Sequence, residues 1–320
     1  MKKKKKKSSW LYNDTAAGYF FVMPFIIGFL CFTIVPIVSS SLYSFTNYSM
    51  VNTPKFVGLS NYIRMFTKDP AYFKAFRVTL VYVITSVPMR LVFALLVALL
   101  LNAGTRFTGF YRALYYLPTL VGGSIAISVT WKLMFQTEGL INQLLQAVGI
   151  DSHVGWLTQT KTALGVLIAL SIWQFGASMI IFLAGLKNIP LIYYEAASVD
   201  GANAFVKFFK ITLPMLSPVI FFNLIMTLIN GFVNFTQAYV ITAGKPVNST
   251  MMYVMYLYNQ AFRNGNMGYA CGMAWIMLIL IAVLTAFIFK SSDAWVYYES
   301  SLSDKKKKKR RGQNGKKAQA

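Results

Sequence analysis

An all-α membrane protein with six transmembrane helices is predicted by three features of this 320-residue chain. Hydrophobic residues make up 56% of it. Charged residues make up 12%, about half the share usual in soluble domains. Apolar runs close to the ~20 residues that cross a bilayer as a helix recur along its length.

The six runs are residues 18–45, 78–101, 113–131, 162–186, 218–243 and 268–289. Five contain no charge, and the second contains one, Arg90. Pro24, Pro36, Pro88 and Pro118 fall inside or near them. Membrane helices tolerate such breaks when neighbours or water satisfy the freed backbone groups. The organisation expected is a polybasic tail over residues 1–14, a six-helix domain over 15–290 and a second polybasic tail over 291–320.

The net charge of +22 suggests a nucleic-acid binder until it is located. Lys2 to Lys7, Lys305 to Arg311, Lys316 and Lys317 supply fifteen of the 31 basic residues, so the charge lies in the tails. Blocks of like charge repel and stay solvated. Beside membrane spans they act as cytoplasmic retention signals and attract anionic lipid, with no nucleic acid implied. The first apolar run is too long for the core of a cleaved signal peptide. Cys31 and Cys271 sit in apolar runs and make neither a disulfide framework nor a metal site.

Six spans put both termini on one side. With the N-terminus cytoplasmic, that side collects 21 Lys and Arg against 9 on the other, which the positive-inside rule favours. The tails carry this assignment. It places the segment between spans four and five in the cytoplasm.

That segment, "EAASVDGANAFVKFFKITLPMLSPVI" at residues 195–220, is charged where its neighbours are not. Residues 193–199 form a good helical stretch, and Gly201 is a natural stop. Residues 202–212 suit a second short helix, with Phe205, Phe208, Phe209 and Thr212 at helical spacing. Pro214 is expected to end it.

The segment resembles the EAA loop of ABC-importer permeases: Glu-Ala-Ala, three residues, Gly, nine residues, Ile-x-Leu-Pro. Every fixed position is present here, residues 190–216 forming the loop. "FVGLSNYIRMF", "LVALLLN", "FYRALYYLPTL", "WKLMF" and "MGYACGMAW" extend the resemblance to the carbohydrate-uptake branch, the maltose, glycerol-3-phosphate and multiple-sugar type. The resemblance implies a bacterial inner-membrane subunit that forms half of a pathway for a sugar or oligosaccharide. It implies a second homologous permease, a cytoplasmic ATPase dimer and an extracytoplasmic sugar-binding protein as partners. ATP and magnesium would sit on the ATPase, and no cofactor on this chain. By position, Glu195, Ala196, Ala197, Asp200, Gly201, Phe205, Leu213 and Pro214 would couple to the ATPase, with Phe208 and Phe209 adding apolar anchoring.

The sequence carries no phosphate loop and no catalytic set, so it predicts a transport subunit and not an enzyme. The single histidine, His153, reads as a surface residue of an outer loop. A secondary transporter would place acids or histidines inside the membrane for ion coupling, and no Asp or Glu lies in the six runs. A channel fits hydropathy but does not explain the loop, and an importer of another polyol or a glycerol-phosphate-like solute remains open.

Span five offers a candidate pathway. Asn223, Thr227, Asn230, Asn234 and Gln237 are spaced 4, 3, 4 and 3, which puts them on one helical face. Amides both donate and accept, as polyhydroxyl ligands require. They also serve as interhelical glue, and both readings stand. Trp173 and Gln174, and Trp131, are further candidates. Arg90 lies deep in its span, as a structural pair or a substrate contact. The resembled permeases have a Gly-Gly-Pro turn after span five. Here it reads Gly244-Lys245-Pro246, a turn that can still form with one added charge.

Overall fold

A computed structural model describes residues 14–104 and 107–297, and side chains from residue 18 onward. Both polybasic stretches, and with them most of the two expected tails, lie outside the described residues. Among the described residues the architecture is all-helical, and the one extended feature is an isolated bridge between Thr46 and Phe56. The described residues divide into two compact units, 14–69 with 257–277, and 70–256 with 278–297.

In the first unit, helix α1 (Asp14–Phe29) passes through a wide π turn (Leu30–Ile34) into α2 (Val35–Ser44). A proline inside a helix lacks its donor and crowds the carbonyl four residues back. Here the π turn ends two residues before Pro36, and the Val35 amide reaches five residues back to Leu30. The widened turn absorbs the lost bond and the helix continues. After α3 (Ser60–Thr67), side chains knit the unit together. Asn61 Nδ2 donates to the carbonyls of Ser44 and Thr46, both at 2.8 Å, and the Tyr62 hydroxyl donates to Ser44 Oγ at 2.8 Å. Tyr269 donates to Asp69 Oδ2 at 2.6 Å while the Arg64 guanidinium sits 4.7 Å over its ring.

The second unit is organised around α4 (Pro70–Asn102), a 33-residue helix that contains Pro88. It is followed by α5 (Thr108–Val121), α6 (Ile125–Met134), α7 (Leu140–Ala147), α8 (Ala163–Trp173), α9 (Gly176–Lys187), α10 (Leu191–Val199), α11 (Ala204–Lys207), a π turn (Phe208–Thr212), α12 (Leu213–Phe232) and α13 (Thr236–Ile241). Then come α14 (Tyr253–Tyr258), a π turn (Asn259–Arg263) and α15 (Met267–Trp295), the last two beginning in the first unit's stretch. α4 packs chiefly against α9, α12 and α8, and α5 packs on α9. A Cβ on Gly176 would lie 2.4 Å from the Tyr115 carbonyl, so only glycine lets α5 and α9 approach this closely.

The six expected spans are met in part. Four stretches are long and apolar enough to cross a membrane: Gly18–Ser44, Pro70–Asn102, Ala204–Phe232 and Met267–Trp295. The expected third span is the pair α5 and α6, bent by 99°, and the fourth is α8 and α9, bent by 41°. Each pair, taken as one span, brings the number to six. The first break falls at Gly122 and Gly123, where Ser124 caps α6 by accepting from the Ile127 amide at 3.2 Å. The second falls at Gln174 and Phe175.

Two sequence expectations change. Pro214 does not end a helix. The π turn Phe208–Thr212 lies just before it, Leu213 bonds back to the Phe208 carbonyl, and helical geometry runs on from Ala204 to Phe232. This is the register seen at Pro36. The fifth apolar run is also not one helix, because α12 stops at Phe232 and α13 starts at Thr236.

Candidate functional site

Three helix breaks and one unbroken helix surround a polar cavity of about 300 Å³ in the second unit. On α4, Tyr82, Ser86 and Arg90 form a column one turn apart. Opposite, Thr227 and Asn230 of α12, Asn234 in the break, and Gln237 of α13 line the wall. Gly123 at the α5–α6 break and Gln174 at the α8–α9 break complete it.

The hydrogen bonds tie the breaks together. Gln237 Nε2 donates to the Gly122 carbonyl at 2.8 Å and to Gln174 Oε1 at 3.1 Å. Arg90 Nη2 donates to the Gln174 carbonyl at 2.6 Å, and Thr119 Oγ1 donates to the same oxygen at 3.1 Å. Asn234 Nδ2 donates to the Tyr82 hydroxyl at 2.8 Å. Broken helices free backbone groups that apolar surroundings cannot satisfy, so their carbonyls collect side-chain donors here. Arg90 Nε and Ser86 Oγ are buried without a hydrogen-bond partner.

Of the five ladder residues, four meet at the cavity. They do so across a break and not on one continuous face: Thr227 and Asn230 belong to α12, Asn234 to the break and Gln237 to α13. Asn223 is not among them. It is 2% exposed within α12, with its Nδ2 unpartnered. Trp173 is placed elsewhere, on an apolar cavity of about 820 Å³ lined also by Phe93, Tyr115 and Phe175. The Trp131 ring lies 5.5 Å from that of Trp173, tilted by 36°, and donates its indole N–H to the Val166 carbonyl. Gln174 and Arg90 do line the polar cavity. Sequence reasoning missed Tyr82 and Ser86, although their i, i+4, i+8 spacing with Arg90 was readable.

The charged segment forms a helix, a glycine turn and a second helix. Gly201 has φ +75°, and it ends α10 with paired bonds: Ala202 N–H to the Ala197 carbonyl at 2.9 Å and Gly201 N–H to Ser198 at 3.1 Å. This is the left-handed Schellman ending that favours glycine. Asn203 then caps α11 by accepting from the Val206 amide at 2.9 Å. Lys207 Nζ donates to Ser198 Oγ at 2.7 Å, and the hydroxyls of Tyr194 and Thr212 share a 2.9 Å bond, which joins α10 to the π turn. Glu195, Ala196, Asp200 and Gly201 are exposed, Ala197, Leu213 and Pro214 half-buried. Val199 is 89% exposed and Phe205 71%, and the Phe205 and Phe209 rings lie 4.6 Å apart. The segment is a knob of exposed apolar side chains with Glu195 and Asp200 beside them, and its second helix continues through the π turn into α12.

The turn after α13 forms around Gly244 at φ +85° and a cis Lys245–Pro246 bond, with Lys245 exposed. His153 is exposed and lies 3.3 Å from Asp151. Among the described residues no cluster of His, Cys, Asp or Glu could hold a metal ion.

These features define a membrane transport subunit. The chain belongs to the family of inner membrane components of binding-protein-dependent transport systems, whose pattern matches residues 70–296. It is 51% identical over 297 residues to the probable ABC transporter permease protein YesP of Bacillus subtilis, covering 92% of this chain and 96% of that one. It is 33% identical over 298 residues to the arabinooligosaccharides transport system permease protein AraP of Bacillus subtilis, covering 91% and 94%. Its fold matches a chain of a bacterial ABC transporter involved in the import of the acidic polysaccharide alginate, at a TM-score of 0.76 and 23% identity over 87% of this chain and 95% of that one. The protein is thus a permease subunit of an ATP-binding-cassette importer, a family of transport components that are not themselves enzymes.

Proposed function

We propose that the chain forms half of the translocation pathway for a sugar or oligosaccharide across a bacterial cytoplasmic membrane. The polar cavity carries this reading. Asn230, Asn234, Gln237 and Gln174 line one space; Gln237 and Asn234 donate to the protein, while the Asn230 amide and the side-chain oxygens of Asn234 and Gln237 match the hydroxyls of a polyhydroxyl solute. Intramembrane polar groups at helix breaks are the usual lining of transport sites. Relatives named for arabino-oligosaccharides support the same class.

Both termini and residues 190–216 face the cytoplasm in this reading. A second homologous permease supplies the other half of the path, and an extracytoplasmic sugar-binding protein delivers the solute. A separate ATPase pair, which holds ATP and magnesium, drives the cycle. The knob built from Glu195, Ala196, Ala197, Asp200, Gly201 and Phe205 seats in a groove of that ATPase, as an amphipathic helix does in a hydrophobic groove. Leu213 and Pro214 link it without a flexible joint to α12, whose other end reaches the cavity. The test is uptake by vesicles that contain the assembled importer. ATP-dependent accumulation of an oligosaccharide in the presence of the binding protein supports the reading, and accumulation of no saccharide refutes it.

A further inference from the structure

Arg90 is the only charged residue among those that line the polar cavity. Among the described residues it makes no ion pair. One of its nitrogens caps the Gln174 carbonyl at the end of α8, and its Nε is buried without a partner, as is Ser86 Oγ one turn away on the same helix. A helix C-terminus offers only about half a negative charge. The rest of the guanidinium charge faces the polar cavity with no acid among the residues that line it, and an anion in that space would balance it.

The chemistry of the cavity narrows that anion. Arg binds carboxylates through two parallel N–H donors. A single guanidinium balances one carboxylate charge, whereas a phosphate monoester carries about −1.5 to −2 and would leave the site net negative. The facing Asn230, Asn234 and Gln237 side chains suit hydroxyls and not further charge. At 300 Å³ the space lies at the small end of ligand pockets, suited to one sugar unit or a chain end.

We propose that this cavity takes an acidic sugar, a polyhydroxyl ring bearing one carboxylate, with Arg90 as the carboxylate's partner. The inference rests on the cavity's being the sugar path. It assigns Arg90 to the substrate and not to an acid of the second permease.

The test is equilibrium binding by titration calorimetry to the purified importer, without its binding protein. The probes are galacturonate, the neutral galactose and galactose 1-phosphate. The expected result is galacturonate binding at least about tenfold tighter than galactose. That preference should vanish in Arg90→Gln and survive in part in Arg90→Lys. Galactose binding equally well overturns the inference and leaves the sugar path standing. Galactose 1-phosphate binding tightest overturns the carboxylate assignment. Binding of none of the three removes both readings. Should Arg90→Gln fail to assemble, the preference of the native importer among the probes decides the matter alone.

Discussion

The side-chain amide of Asn234 donates to the hydroxyl of Tyr82 across 2.8 Å, which joins the break between α12 and α13 to the unbroken helix α4. Polar bonds between membrane helices average about 0.6 kcal/mol and reach about 1.7. Tyr82→Phe should therefore lower the thermal midpoint of the purified importer modestly and slow uptake. Asn234→Leu should do the same. Because the two residues share one bond, the double variant should lose less stability than the sum of the singles. Additive losses in thermal melts would show that the bond carries no coupling.

Asn230 makes the complementary case. It lines the same cavity, and among the described residues its side chain has no hydrogen bond to another group. Asn230→Leu should raise the KM for the transported sugar and alter the preference between sugars, with the melting midpoint nearly unchanged. Unaltered uptake kinetics would leave the amide without a role in the path.

Gly122 and its neighbour Gly123 should respond oppositely to a methyl group. A Cβ on Gly122 would sit 2.6 Å from Gln174 Cδ and from the Pro118 carbonyl, whereas one on Gly123 meets nothing within 4 Å. Overpacking of this kind costs about 1–3 kcal/mol. Gly122→Ala should destabilise the importer and disturb the Gln174–Gln237 junction, and Gly123→Ala should be tolerated. Equal melting curves would contradict the packing described at this break.

At Gly201 the backbone and the proposed partner impose separate demands. Left-handed geometry costs an ordinary residue about 1–2 kcal/mol, while Asn tolerates it. The space around a Cβ is open. Gly201→Asn should thus fold and retain most uptake. Gly201→Trp should insert in the membrane yet lose uptake while ATP hydrolysis continues uncoupled from it. Normal uptake by the tryptophan variant would end the coupling role.

Much of this was legible in the sequence, and the remainder was hidden for physical reasons. The helix, glycine turn and helix around Gly201 were readable because a Schellman ending leaves a local signature. The breaks at Gly122 and Gln174 were not, because hydropathy averages over a window and both lie inside continuous apolar runs. The expected stop at Pro214 failed because a π turn can be placed ahead of a proline, which no composition rule reveals. The amide ladder was visible from its spacing, but the spacing assumed one helix, and the break at residues 233–235 re-aims Asn234 and Gln237. Tyr82 and Ser86 escaped notice because neither disturbs hydropathy, although Arg90 on the same face did.

The central claim is that this permease passes a sugar through the cavity and borrows its energy from a separate ATPase. The most direct measurement is ATP hydrolysis by the complex that co-purifies with the affinity-tagged chain, with and without the binding protein and an oligosaccharide. The account predicts that an ATPase and a second permease co-elute and that the loaded binding protein stimulates hydrolysis several-fold. Elution without an ATPase, or hydrolysis indifferent to every saccharide offered, would contradict it.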